Sequence, residues 1–225
     1  ASAKNGDRDT LDLPAEQMKF LDRLQDMRKD GKKVVAVVTG GSPVALQKVA
    51  PLADAVVLAW YAGEEGGNAL ADLLFGKADF TGRLPLTFPE SVDVLPPFED
   101  YSMLGRTYKY QTKGVAYPFG YGLSYARFAS ANLKAKAKGE GEAVSVEVRN
   151  AGDRDGVAVV QLYVSTPNAG KGAPIKSLVG FRRVPVRAGG AQTVEFDVSP
   201  RQLMEFGEDG VARRVPGECV YTVQL

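Results

Sequence analysis

From Leu13 to about Phe75 the apolar positions switch between a helical spacing and short continuous runs, the pattern of α/β layers. Met18, Leu21, Leu24 and Met27 recur every three or four residues on one helical face. Pro14 suits the first helical position and Gly31 the stop, so one amphipathic helix is predicted there. Val34-Val35-Ala36-Val37-Val38 is apolar without alternation, as for a strand covered on both faces. Gly40-Gly41-Ser42-Pro43 then turns the chain into a short helix from near Val44. Ala55 to Trp60 reads as a second strand, Tyr61 to Gly67 as a loop and Asn68 to Phe75 as a helix ended by Gly76. Two parallel strands with three helices leave strand edges and helix faces without partners, so the rest of this sheet is expected upstream.

The pattern changes after that. Thr81 to Tyr125 is rich in Gly, Pro and aromatic residues and has little period of either kind, which marks a structured connection. Beyond it, short segments of alternating apolar and polar residues recur: Val144, Val146 and Val148, then Val157 to Val164, Leu178 to Val186, Val194, Phe196 and Val198, and Val220 to Leu225. Ala188-Gly189-Gly190 reads as a hairpin turn between two of them. Residues from Ala129 to Leu225 therefore form one immunoglobulin-like sandwich of about seven strands.

Composition narrows the chemistry. The 28 Lys and Arg nearly cancel the 27 Asp and Glu, and neither sign gathers into a run, so nothing points to nucleic acid or an anionic membrane. No apolar stretch approaches the roughly 20 residues that span a bilayer. The single cysteine, Cys219, falls in the predicted last strand and reads as a small core residue. The chain has no histidine, which removes Ser-His-Asp chemistry and ordinary zinc sites within it. No cofactor and no transition metal are expected, oxygen-only calcium binding aside. Catalysis would fall to carboxylates, or to parts of the protein outside this sequence.

Three stretches exceed a generic scaffold. One runs from Ala59-Trp60-Tyr61-Ala62-Gly63-Glu64-Glu65-Gly66-Gly67-Asn68 to Thr81-Gly82-Arg83-Leu84-Pro85. Another is Gly105-Arg106-Thr107-Tyr108-Lys109-Tyr110, followed by Tyr117-Pro118-Phe119-Gly120-Tyr121-Gly122. The third is Asp9-Thr10-Leu11-Asp12-Leu13-Pro14. Glu64 and Glu65 are adjacent on a loop and precede a helix, whose dipole favours carboxylates there, so capping competes with a catalytic pairing. The glycines lack the Gly-x-Gly-x-x-Gly spacing and the P-loop lysine of a phosphate cradle. Trp60 at a strand end is either a sugar-stacking face or a core ring. Arg106, Tyr108 and Tyr110 either rim a site or pack two domains together. Lys171, Lys176 and Arg182 read as solvated charges.

Taken together, these stretches resemble the C-terminal half of glycoside hydrolase family 3, in particular its bacterial β-glucosidases and β-xylosidases, over essentially the whole chain. The resemblance implies a three-part enzyme with a catalytic (β/α)8-type barrel first. Residues 1–88 would be the later part of an α/β sandwich domain, 89–128 a structured connection, and 129–225 a fibronectin type III-like domain. It also implies a periplasmic or secreted enzyme that removes terminal sugars from oligosaccharides or aryl β-glycosides with retention. The segment Gly105 to Tyr110 looks like the xylosidase-type version. Retention requires two carboxyl groups about 5 to 5.5 Å apart. By resemblance the nucleophilic Asp belongs to the barrel, which is a required partner of this chain, in the same polypeptide or another. The acid/base Glu belongs shortly before Asp7-Arg8. Residues 1 to 6 contain no Glu, so it either precedes Ala1 or is substituted, with Asp7 a remaining candidate. No catalytic residue is therefore assigned within the chain, and substrate contact is expected of Trp60, Arg106 and Tyr108; the alternative from another class is a non-catalytic structural or docking piece.

Overall fold

The structure is a computed structural model that describes residues 9–168, 170, 172–206, 210–214 and 218–225. It divides into two compact units. One holds the residues up to Ala71 with Leu86–Thr107 and Gln111–Phe119, and the other holds Asp72–Pro85, Tyr108–Tyr110 and Gly120–Leu225.

The first unit begins with helix α1 (Ala15–Lys29). Pro14 stands one position ahead of the first helical residue, with extended backbone. The helix closes in a Schellman arrangement: Gly31 takes φ +79°, its N–H donates to the Arg28 carbonyl, and the Lys32 N–H donates to Met27. Strand β1 (Val35–Thr39) follows, then α2 (Leu46–Val49), which tightens into a 3-10 turn at Ala50–Leu52, and β2 (Ala55–Trp60). The two strands pair in parallel, Val35 opposite Ala55. Their inner face packs on α1 through Leu21, Val34, Ala36, Val49 and Ala53, with Met18 and Leu24 half-buried around them. Asp54 ties the entrance of both strands. Its carboxylate accepts the Val34 N–H at 2.9 Å and meets Arg28 and Lys33, each at 3.3 Å.

The expectation that the first strand is covered on both faces does not hold among the described residues. Ala36 and Val38 are buried, whereas Val35 and Val37 on the other face are 41% and 38% exposed. The run is continuous because it is apolar on both faces, but only α1 and its neighbours supply a covering layer here. Helix α3 (Gly66–Leu74) is amphipathic yet has no fully buried residue. A short pairing of β3 (Phe88–Pro89) with β4 (Val115–Tyr117) completes this unit, and Phe88 is fully buried. Helix α4 is one turn, Thr107–Tyr110, of which Tyr108–Tyr110 count with the second unit.

The second unit is a sandwich built mainly from β5 (Phe128–Lys138), β6 (Gly141–Asn150), β7 (Gly156–Ser165), β8 (Ser177–Val186) and β9 (Ala191–Val198). A small antiparallel pair, β10 (Met204–Phe206) with β11 (Ala212–Arg214), precedes β12 (Val220–Gln224). The sheets have the orders β5-β6-β9 and β12-β7-β8. Inward residues Val144, Val146 and Val148 of one sheet meet Ala158, Val160, Leu162 and Val164 of the other, together with Phe196 and Leu203. Each large apolar side chain buried this way contributes about 1.5–3 kcal/mol relative to exposure. Cys219 packs half-buried against this core.

Two local expectations are corrected. Ala188-Gly189-Gly190 joins β8 to β9, which belong to different sheets, so it is a crossover between layers and not a hairpin turn. Gly-Gly marks a reversal of direction, and that alone does not say which strands pair. The β7 segment is buried at every position from Ala158 to Val164 and does not alternate in burial. Its outer face is covered by the connection within the same unit. The Gln161 side chain donates to the Gly120 carbonyl at 3.0 Å and accepts the Tyr163 hydroxyl at 2.9 Å. Gly120 has φ +80°, and a Cβ there would fall on Gln161 Oε1. The Leu84 N–H donates to Tyr121 and the Gly120 N–H to Leu84, at 2.9 and 2.8 Å, which stitches the covering strips together.

Candidate functional site at the carboxyl ends of the parallel strands

Open α/β sheets bind ligands outside the carboxyl ends of their strands, where loops meet and helices begin. In this chain those ends are Thr39 and Trp60, which stand opposite each other after a register shift at Val38/Thr39. The Gly40 N–H donates to the Trp60 carbonyl at 3.3 Å and brings the turn from Gly40 to Pro43 beside the loop that opens with Tyr61. Trp60 has φ +51°, the left-handed region that bulky residues rarely adopt, and such backbone strain clusters at ligand and switch sites. The Trp60 ring is half-buried and lies 6.2 Å from the Phe88 ring, inclined at 59°. Tyr61 is 82% exposed. Its ring edge sits on Gly41, where an added Cβ would be 2.7 Å from Tyr61 Cε2.

Beside this edge, the Leu11 carbonyl accepts the Ala45 N–H at 2.7 Å and Asp12 pairs with Lys48 at 2.7 Å. The segment Leu11 to Leu13 is thereby fastened to the start of α2. Asp7 and Arg8, like Lys171, lie outside the described residues. Glu64 and Glu65 are both exposed. The Glu65 carboxylate accepts from the Asn68 side chain and its carbonyl accepts the Ala69 N–H at 2.9 Å, so Glu65 serves the first turn of α3. Among the described residues, no group of three His, Cys, Asp or Glu is arranged to hold a metal ion.

Arg106 and Tyr108 are placed differently. The Arg106 Nη2 donates to the carbonyls of Pro96, Pro97 and Asp100 at 3.3, 2.6 and 3.2 Å and folds that loop around one cation. Asp100 accepts the Ser102 N–H at 2.8 Å; that bond, helped by the Ser102 hydroxyl and the Arg106 charge, holds its carboxyl below the usual range. Tyr108 belongs to the second unit, where its hydroxyl accepts the Leu178 N–H at 3.2 Å and its ring meets Tyr163 edge-on at 6.1 Å. Lys176 stands 4.3 Å above the Tyr163 ring instead of reaching into solvent. Burial lowers its pKa, and burial with the neighbouring Tyr108 pushes the Tyr163 hydroxyl up. Trp60 and Arg106 thus share one unit and Tyr108 the other. The residue that sequence reading left out is Tyr61. Its signal in the sequence is a second aromatic directly after the strand end and two residues ahead of Gly63.

Residues 1–125 match the Glycosyl hydrolase family 3 C-terminal domain, and residues 158–225 match the Fibronectin type III-like domain. Over 219 residues, 96% of this chain and 25% of the relative, the sequence is 40% identical to a xylan 1,4-beta-xylosidase of Xylanibacter ruminicola. It is 34% identical to a periplasmic beta-glucosidase of Salmonella typhimurium, over 94% of this chain and 29% of that protein. The crystal structure of a GH3 beta-glucosidase from Bifidobacterium adolescentis superimposes with a TM-score of 0.86 at 32% identity, over 96% of this chain and 34% of the other. A beta-glucosidase from Erythrobacter marinus gives 0.84 at 36% identity, over 100% of this chain and 30% of the other. The chain spans about a quarter to a third of the length of these relatives.

Proposed function

Given that this chain belongs to glycoside hydrolase family 3, and to its C-terminal region, we propose that it is part of a retaining exo-β-glycosidase acting on terminal β-D-glucosyl residues and on β-xylosides. The observation that carries the reading is the joint match of both domains to family relatives whose names are those of β-glucosidases and β-xylosidases. In this reading the barrel, as the rest of the polypeptide or as a second chain, supplies the nucleophilic Asp. The acid/base Glu lies ahead of Asp7. The present chain contributes the loops at the carboxyl ends of its parallel strands, with Trp60 as an anchor and Arg106 and Tyr108 as supports of the connection. The uncovered face of Val35 and Val37 is where further layers of the same α/β domain would pack.

A narrower reading, a β-xylosidase proper, is favoured by the 40% identity to the Xylanibacter protein and by the segment Gly105 to Tyr110. A periplasmic or secreted location is supported by the Salmonella relative. No helix among the described residues is long and apolar enough to cross a membrane. The test compares the complete polypeptide with the 225-residue chain on aryl β-glucosides and β-xylosides, with NMR of the first-formed product. We expect the complete polypeptide to release the β-anomer and the isolated chain to show no turnover above background. Turnover by the isolated chain, or an α-anomeric first product, would overturn the proposal.

A further inference from the structure

We infer that Tyr61 is a sugar-stacking platform, on which the leaving-group sugar of a β-linked substrate lies. The inference rests on the glycosidase reading above and deepens it by assigning a residue to the part of the substrate beyond the terminal sugar. Tyr61 stands at the edge of the sheet where α/β proteins take their ligands. The core does not use it, for it is 82% exposed while the adjacent Trp60 turns inward toward Phe88. Consecutive side chains at a strand end point to opposite sides, so the two rings diverge, and the chain turns at Trp60 with φ +51°. The Tyr61 ring lies beside Gly41: a Cβ there would stand 2.7 Å from Tyr61 Cε2, so a side chain at position 41 would push the ring aside.

The surroundings select the ligand class. The turn from Gly40 to Pro43 and the loop from Tyr61 to Glu65 contain no Lys or Arg, and Glu64 and Glu65 are exposed in the same loop. An anionic ligand would face two carboxylates. A neutral polyhydroxylated ligand instead finds an apolar ring for its C–H face and acceptors for its hydroxyls. An exo-acting enzyme encloses the terminal sugar, so a ring this open to solvent suits the part of the substrate that projects outward.

The complete polypeptide carrying Tyr61→Ala or Tyr61→Phe tests this with two substrates, a β-linked disaccharide and the matching glycosyl fluoride, whose leaving group has no ring to stack. Tyr61→Ala should raise KM for the disaccharide about tenfold and leave the fluoride within about twofold, while Tyr61→Phe behaves as wild type on both. Equal losses on both substrates, or no change on either, would overturn the inference. Calorimetric titration with a thio-linked disaccharide reads the same contact without turnover, and Tyr61→Ala should weaken that binding about tenfold. A wild-type polypeptide that hydrolyses neither substrate sinks the glycosidase reading, and the titration still decides whether Tyr61 holds a sugar.

Discussion

At the scale of single residues, Asp54 shows how one side chain can organise a strand entrance. The Val34 N–H bond, then Lys33 and Arg28, hold its carboxyl below the ordinary aspartate range against a smaller opposing effect of burial. Because the folded pKa lies below the unfolded one, the stability it confers is present above the unfolded value of about 3.9 and is lost as pH falls through the folded value. The thermal midpoint of Asp54→Asn in the complete polypeptide should therefore lie below wild type at neutral pH, with the gap closing as pH drops under about 3.9. A gap that stays constant from neutral to strongly acidic solution would contradict this origin. None of this geometry is written in the sequence, where Asp54 is one more charge before an apolar run. Arg106 and Tyr108 were legible as unusual residues, yet what each donates to or accepts from depends on backbone groups brought close by folding. Trp60 against Tyr61 is the same lesson in a pair. Their order in the chain is plain, but which ring is covered depends on Phe88, brought beside Trp60 from elsewhere in the chain.

At the scale of elements, periodicity was most readable where a segment has one buried face. The α1 stripe, the alternation along β9 and the two parallel strands follow directly from spacing. It was least readable where both faces are filled. The β7 run is continuous because the connection supplies a second layer, whereas the equally continuous β1 run has one face exposed among the described residues. Strand β5 offers a different signal. It forms the edge of its sheet, is exposed along nearly its whole length, and carries a bulge between Ala131 and Lys134 with Asn132 at φ +54°. Lys134, Lys136 and Lys138 repeat along one side of it, and charge with a bulge is how edge strands are kept from pairing with other chains. Replacing Lys134 with Thr and Lys136 with Val should leave the unfolding midpoint nearly unchanged and raise concentration-dependent association, read by light scattering. Association no greater than wild type would show that the lysines do not guard this edge.

At the scale of the whole molecule, the covering of β7 changes where the chain should be cut. Sequence periodicity places a module at 129–225, whereas Thr81, Tyr108 and Gly120 contact Arg183, Leu178 and Gln161 within one compact unit. Residues 72–225 should unfold in a single urea transition with a midpoint clearly above that of 129–225, which leaves the Tyr163 face in water at a cost of about 1.5–3 kcal/mol for each large apolar side chain uncovered. Coincident midpoints would mean that the connection adds nothing to the module. The strand order also has a temporal meaning. Strand β7 lies between β8, its next neighbour in the chain, and β12, which is made only after β8, β9 and the β10–β11 pair. At about 5–20 residues per second, a ribosome leaves one side of β7 open for several seconds after that strand emerges. Through that interval the nascent chain presents an apolar edge for which β12 is the only correct mate, and a message cut short before Val220 would yield a product that keeps the edge open permanently.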